Sequence, residues 1–163
     1  MSRIRRALAG SLLLWGAAAR GEFLKLEITL GGIDCASCLD SLPGRLQRVR
    51  GVESVALDRD RSEVSVTLAA GNRARLEQIR DVIEQDGTRV ARAKVRAIGR
   101  LTGESDAWVF RPAGAERGYR ATIPDRAIAE AARGAAGGDS VVEGTIDNAA
   151  ELSIRVTGHA RLQ

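Results

Sequence analysis

The chain has 163 residues, a length suited to one ordinary domain or two small ones. Hydrophobic residues make up 44% and charged residues 28%, which places it among foldable globular chains. A net charge of +4 invites a nucleic-acid or membrane partner, while two cysteines and one histidine exclude a disulfide-rich scaffold, a zinc ribbon of paired CxxC motifs and any multi-histidine metal site.

At the amino terminus Arg3, Arg5 and Arg6 precede an apolar run over residues 7–19, ending in Ala17, Ala18 and Ala19. A bilayer span needs about 20 such residues, and this run is shorter. A basic start, a short apolar stretch and small residues read as a secretory signal peptide over residues 1–21, cleaved after Ala19 or after Gly21. The expectation is therefore a periplasmic protein with no stable membrane insertion once the signal is removed. Losing residues 1–19 takes away Arg3, Arg5 and Arg6 and lowers the net charge from +4 to +1. The composition-level case for nucleic acid goes with them, and no nucleic-acid partner is expected. In an oxidising compartment the two cysteines can pair, stand as a reactive dithiol, or hold a metal together.

Residues 24–30 alternate apolar and polar, a strand with one buried face. Leu39, Leu42, Leu46 and Val49 follow at helical spacing and Gly51 supplies a stop. Residues 53–58 and 62–68 alternate again, and Arg59, Asp60 and Arg61 between them predict a hairpin. Asn72 is placed to cap a second helix carrying Leu76, Ile79, Val82 and Ile83, ended by Gly87. Residues 89–93 close this set as a fourth strand. The order predicts an α+β protein whose residues 22–93 form a ferredoxin-like βαββαβ domain.

Residues 94–163 read differently. Strands are predicted at 94–101, 107–111, 119–123, 140–146 and 151–157, with a helix opened by Pro124 and Asp125 and stopped at Gly134. Five strands with a helix between the third and fourth look like a small OB-like β-barrel. Trp108, Phe110 and Tyr119 fall on its second and third strands, where such barrels stack bases; in a chain with 3% aromatics, grouping them favours a core.

The chemistry concentrates at residues 32–38, where the first strand hands over to the first helix. Cys35 and Cys38 stand at i and i+3, and the N–H groups and positive dipole end of a helix start stabilise thiolates there. Thiolates bind soft metals. The run Gly32-Ile33-Asp34-Cys35-Ala36-Ser37-Cys38, with Gly51-Val52 following the helix, resembles the heavy-metal-associated domain family of metallochaperones, periplasmic mercury-binding proteins and modules of metal-pumping ATPases. Ile33 takes the position of the family's Met, a packing residue.

The resemblance covers residues 24–93. It implies that Cys35 and Cys38 bind one heavy-metal ion and pass it by ligand exchange to another metal-binding domain or a metal-transporting membrane protein. Asp34 stands where the copper and mercury branches have Thr, and is similar to the zinc, cadmium and lead branch, where the carboxylate adds an oxygen ligand. Asp34 equally fits a helix cap. The metal is therefore Zn(II), Cd(II) or Pb(II) on one reading and Cu(I) or Hg(II) on the other. Thr88 stands where the family often has Tyr or Phe.

Pro43 falls inside the first helix. Either the helix is distorted with its metal site kept, or Ser41 caps a later start and frees both cysteines into a loop. Two rivals to metal binding use other chemistry: thiol–disulfide exchange by the same CxxC, and ligand or nucleic-acid binding by the barrel. No haem-attaching His follows Cys38, the lone His159 reads as surface or structural, and no catalytic constellation is seen, so no enzyme activity is expected.

Overall fold

The computed structural model describes residues 23–32, 36–104, 107–115, 117–135, 137–147 and 152–162. The expected signal peptide and both of its cleavage points lie outside these residues, as do Asp34 and Cys35.

Alternation builds the first sheet. In β1 (Phe23–Gly31), Leu26, Ile28 and Leu30 turn inward while Lys25, Glu27 and Thr29 turn outward. β2 (Val52–Asp58) and β3 (Glu63–Leu68) form the expected hairpin, and Val64, Val66 and Leu68 are buried. Against this inner face, α1 (Ala36–Leu46) buries Leu39, Leu42 and Leu46, and α2 (Leu76–Glu84) buries Leu76, Ile79 and Ile83. Each helix thus contributes one apolar stripe of three side chains, the pattern of a helix packed on a sheet.

Asn72 does not cap α2, which starts four residues later behind Arg75. Its side chain is buried. It donates to the carbonyl oxygens of Phe23 and Ala69, both at 2.9 Å, and accepts from the amide of Ala74 at 3.0 Å. An Asx turn has won over the cap because the carbonyl of Phe23 is brought within reach across the fold. The N-terminal turn of α2 uses Gln78 instead, whose Oε1 accepts from the amide of Arg75 at 3.0 Å.

β4 (Arg89–Glu104) is one strand of 16 residues where two were expected, at 89–93 and 94–101. No Gly or Pro interrupts it before Gly99, and the burial of Ala93, Val95 and Ala97 continues without a change of face. Residues 89–97 pair antiparallel with β1, giving the order β2-β3-β1-β4. Its second half enters the barrel. The expected division at residues 93 and 94 falls in the middle of this strand.

Beyond it lie β5 (Ala107–Pro112), β6 (Tyr119–Thr122), α3 (Arg126–Gly134), β7 (Ser140–Ile146) and β8 (Ser153–Arg161). Asp125 caps α3, accepting from the amides of Ala127 at 2.7 Å and Ile128 at 3.4 Å. The pairings β4–β5, β5–β6, β6–β8, β8–β7 and β7–β4 return to their start, so the five strands close into a barrel. The β6–β8 pair is parallel and the other four are antiparallel, with the helix between the third and fourth strands. Gly99 is the residue at which β4 changes partner, paired to Ser140 on one side and Pro112 on the other. Trp108, Phe110 and Tyr119 are all buried. They fill the core, and the guanidinium of Arg133 lies 5.5 Å from the centre of the Trp108 ring.

Candidate metal centre

The CxxC segment joins β1 to α1. β1 ends at Gly31, and Gly32 takes φ +63°, a left-handed conformation that only glycine adopts without strain. A side chain on Gly32 would stand 3.5 Å from the Arg89 side chain and 3.6 Å from the carbonyl oxygen of Gly87. The strand therefore leaves the sheet beside the turn between α2 and β4. α1 begins at Ala36, so Cys38 occupies the third helical position and Cys35 directly precedes the helix in sequence. That start disposes of a late cap at Ser41 and keeps Cys38 in the first turn, where backbone N–H groups lack helical partners. Asp34, Cys35 and the Cys38 side chain lie outside what the structure describes.

α1 continues through Pro43 to Leu46. Pro43 has no N–H to offer the carbonyl of Leu39, while its own carbonyl accepts from the amide of Gln47 at 2.9 Å. Three buried leucines hold the helix in place across the missing bond.

Two ion pairs fasten this end of the molecule. Arg59 in the β2–β3 turn pairs with Asp40 on α1. Arg45, in the last turn of α1, pairs with Asp86 in the turn before β4. The same carboxylate accepts from the amide of Thr88 at 3.3 Å. Partial burial alone would raise the pKa of Asp86. Hydrogen bonds from Thr88 and the charge of Arg45 outweigh that and hold it below the usual carboxylate range. Thr88 is buried, so the position that resembles an aromatic neighbour of the metal carries a small polar side chain turned into the fold.

His159 lies in β8, opposite Val142 of β7, and so belongs to the barrel. Its Nε2 is buried with no hydrogen-bond partner among the described residues. Burial, then the nearby Arg161 charge, lowers its pKa. Among the described residues no three His, Cys, Asp or Glu side chains gather in a metal-binding group. The burial of Trp108, Phe110 and Tyr119 removes the aromatic platform on which base stacking by the barrel depended. No helix of the described residues is long and apolar enough to cross a membrane.

Sequence reading missed the Arg45–Asp86 pair. Its partners lie 41 residues apart and carry no local signal.

Residues 27–88 match the family model of the heavy-metal-associated domain, a stretch that encloses the CxxC and covers under half the chain. No curated protein and no solved structure matches the chain. Domains of this family bind heavy-metal ions. Residues 27–88 are therefore similar to a heavy-metal-associated domain, and a closed five-stranded barrel of OB type follows them in the same chain.

Proposed function

We propose that this protein is a periplasmic metal carrier, exported by residues 1–21, that holds one heavy-metal ion between Cys35 and Cys38 and sequesters it or hands it on without chemistry on a substrate. The observation that carries the reading is the family match over residues 27–88, with Cys35 and Cys38 inside it and a helix starting at Ala36. Two sulfurs at a helix start favour the thiolate form that a soft or borderline ion requires. Asp34 adds a carboxylate oxygen and negative charge, which suits divalent Zn(II), Cd(II) or Pb(II) more than Cu(I), with Hg(II) served by the sulfurs alone. A dithiolate leaves coordination positions open to incoming thiolates. The receiver is accordingly another metal-binding domain or a metal-transporting membrane protein.

The deciding experiment titrates the reduced protein with Zn(II), Cd(II), Pb(II), Hg(II) and Cu(I) in the presence of a competing thiol, beside a Cys35→Ser/Cys38→Ser variant. Binding of at least one ion that the variant loses is the expected result. Equal binding by both proteins would sink the reading. Asp34→Ala separates ligand from cap: a ligand's loss weakens divalent ions and leaves Cu(I) unaffected. Amino-terminal sequencing of the protein from a periplasmic fraction tests export, with Arg20 or Glu22 expected as the first residue.

A further inference from the structure

The outward face of β4 is flanked by a strand on each side over the same residues. Positions 93–97 pair with β1 along one edge and with β7 along the other. Arg92, Lys94 and Arg96 therefore stand exposed between two strands, where the sheet bends into the barrel. Two adjoining grooves lie on that face, of about 410 and 330 Å3, and both are lined by Lys94 and Thr145. The only two lysines of the chain, Lys25 and Lys94, meet here among otherwise arginine cations.

Register sets a single row across four strands. Glu27 of β1 stands opposite Lys94, Lys94 opposite Thr145 of β7, and Thr145 opposite Arg155 of β8. Directly opposed side chains in a sheet have Cβ atoms about 5 Å apart, so Lys94 and Arg155 flank the Thr145 hydroxyl. Each acid nearby has a cation beside it, and Glu27 divides between Lys25 and Lys94. Glu27 lies 2.6 Å from Lys25 and only 3.9 Å from Lys94; Glu143 faces Arg96 at 3.5 Å, and Asp147 accepts from Arg92 Nε at 2.9 Å. The backbone of Arg155 is paired with Thr122 and Thr145, and its side chain has no hydrogen-bond or ion-pair partner among the described residues.

We propose that the groove over Lys94, Thr145 and Arg155 binds a phosphoryl group. An ammonium, a hydroxyl and a guanidinium fork in one row offer donors suited to a tetrahedral oxyanion, and Arg92 adds positive charge at the rim. Glu27, Glu143 and Asp147 frame the spot with negative charge. That frame admits one phosphoryl group and repels a continuous polyanion, which needs a run of successive cation contacts. The site lies on the sheet face turned away from α1 and α2 and is independent of the metal reading.

Heteronuclear NMR of the full chain, with inorganic phosphate at matched chloride ionic strength, tests the assignment. Saturable shifts centred on Thr145 are expected, weakened about tenfold or more in Arg155→Gln and in Lys94→Gln. Both side chains are exposed, so the variants keep their fold. Arg111→Gln, the same charge change on the outer face of β5, should bind phosphate like the parent. Vesicles of phosphatidylglycerol against phosphatidylcholine separate the sources. Vesicle binding displaced by phosphate assigns a lipid headgroup, and phosphate binding without vesicle binding assigns a small phosphorylated molecule. Shifts no different from chloride, equal weakening in Arg111→Gln, or vesicle binding with no phosphate effect at Thr145 would overturn the proposal.

Discussion

Arg45 and Asp86, 41 residues apart in sequence, meet in an ion pair that ties the end of α1 to the turn leading into β4. The helix that begins at the CxxC is thereby fixed to the neighbouring turn by a contact at its far end. Asp86→Asn should cost about 1 kcal/mol at neutral pH, the range for a partly shielded pair with one added hydrogen bond. The sign with pH follows from the lowered pKa of Asp86. The contribution is complete above the unfolded carboxyl value of about 3.9 and is lost as pH falls through the lower folded value. Urea unfolding at neutral pH and again in the acid range should show the gap between parent and variant closing.

Asn72 satisfies three buried backbone groups with one amide, binding the segment before α2 to the start of β1. Asn72→Ala removes the side-chain partner of the Phe23 carbonyl and of the Ala74 amide, while the Ala69 carbonyl keeps the main-chain amide of residue 72 at 3.1 Å, and should cost roughly 2 kcal/mol. Asn72→Asp keeps the acceptor for Ala74 but loses the donors to Phe23 and Ala69. Its loss should be of the same order or larger, because a carboxylate is also buried. Denaturant midpoints at constant slope are the measurement.

Gly99 has no room for a side chain. A Cβ there would overlap the carbonyl oxygen of Arg111 and approach Phe110 Cε2 and the Pro112 Cα to 2.8 Å. Gly99→Ala should destabilise by roughly 2 kcal/mol or more, because backbone on the facing strand cannot give way cheaply. Gly44 is the counter-case, inside α1 with nothing within 4 Å of a built Cβ. Gly44→Ala should raise stability by roughly 0.5–1 kcal/mol, read as a higher thermal midpoint.

The single tyrosine makes a clean spectroscopic probe. Burial, reinforced by the Glu77 charge against the counter-effect of Arg80, pushes the Tyr119 phenol up to about 12. The folded protein should show no phenolate absorbance as pH passes the unfolded value of about 10. Stability tied to this group is full below that value and declines as pH rises toward the folded one. Ultraviolet titration with and without denaturant should give two curves, the native one displaced to higher pH. Coincident curves would mean that the ring is open to solvent.

Strands β1, β2, β3 and β5 to β8 were legible because one face is buried and the other wet, so the period of two is written into residues such as Leu26, Ile28 and Leu30. The metal motif was legible because Cys35, Cys38 and Gly51 are local signals at fixed spacing. Long-range decisions were not. Asn72 looks like a cap from its neighbours, and only the carbonyl of Phe23, 49 residues away, makes it a tie. β4 was divided at residues 93 and 94 because a βαββαβ unit is complete with its fourth strand, and nothing local marks a strand that serves two sheets. The aromatics of β5 and β6 share a face on either reading; which side of the barrel that face lies on depends on closure between β4 and β7.

β4 also decides what in this molecule can move independently. Its 16 residues extend over about 50 Å at the usual rise per strand residue, from beside Gly32 into the barrel wall. A cut at residue 93 would leave the pairings of β4 with β5 and β7 nearly whole but strip β1 of its partners at Lys94, Val95, Arg96 and Ala97. The barrel is consequently no tethered passenger. Residues 93–97 hold β1 and β7 side by side, so the two sheets share one strand where a linker would otherwise join them.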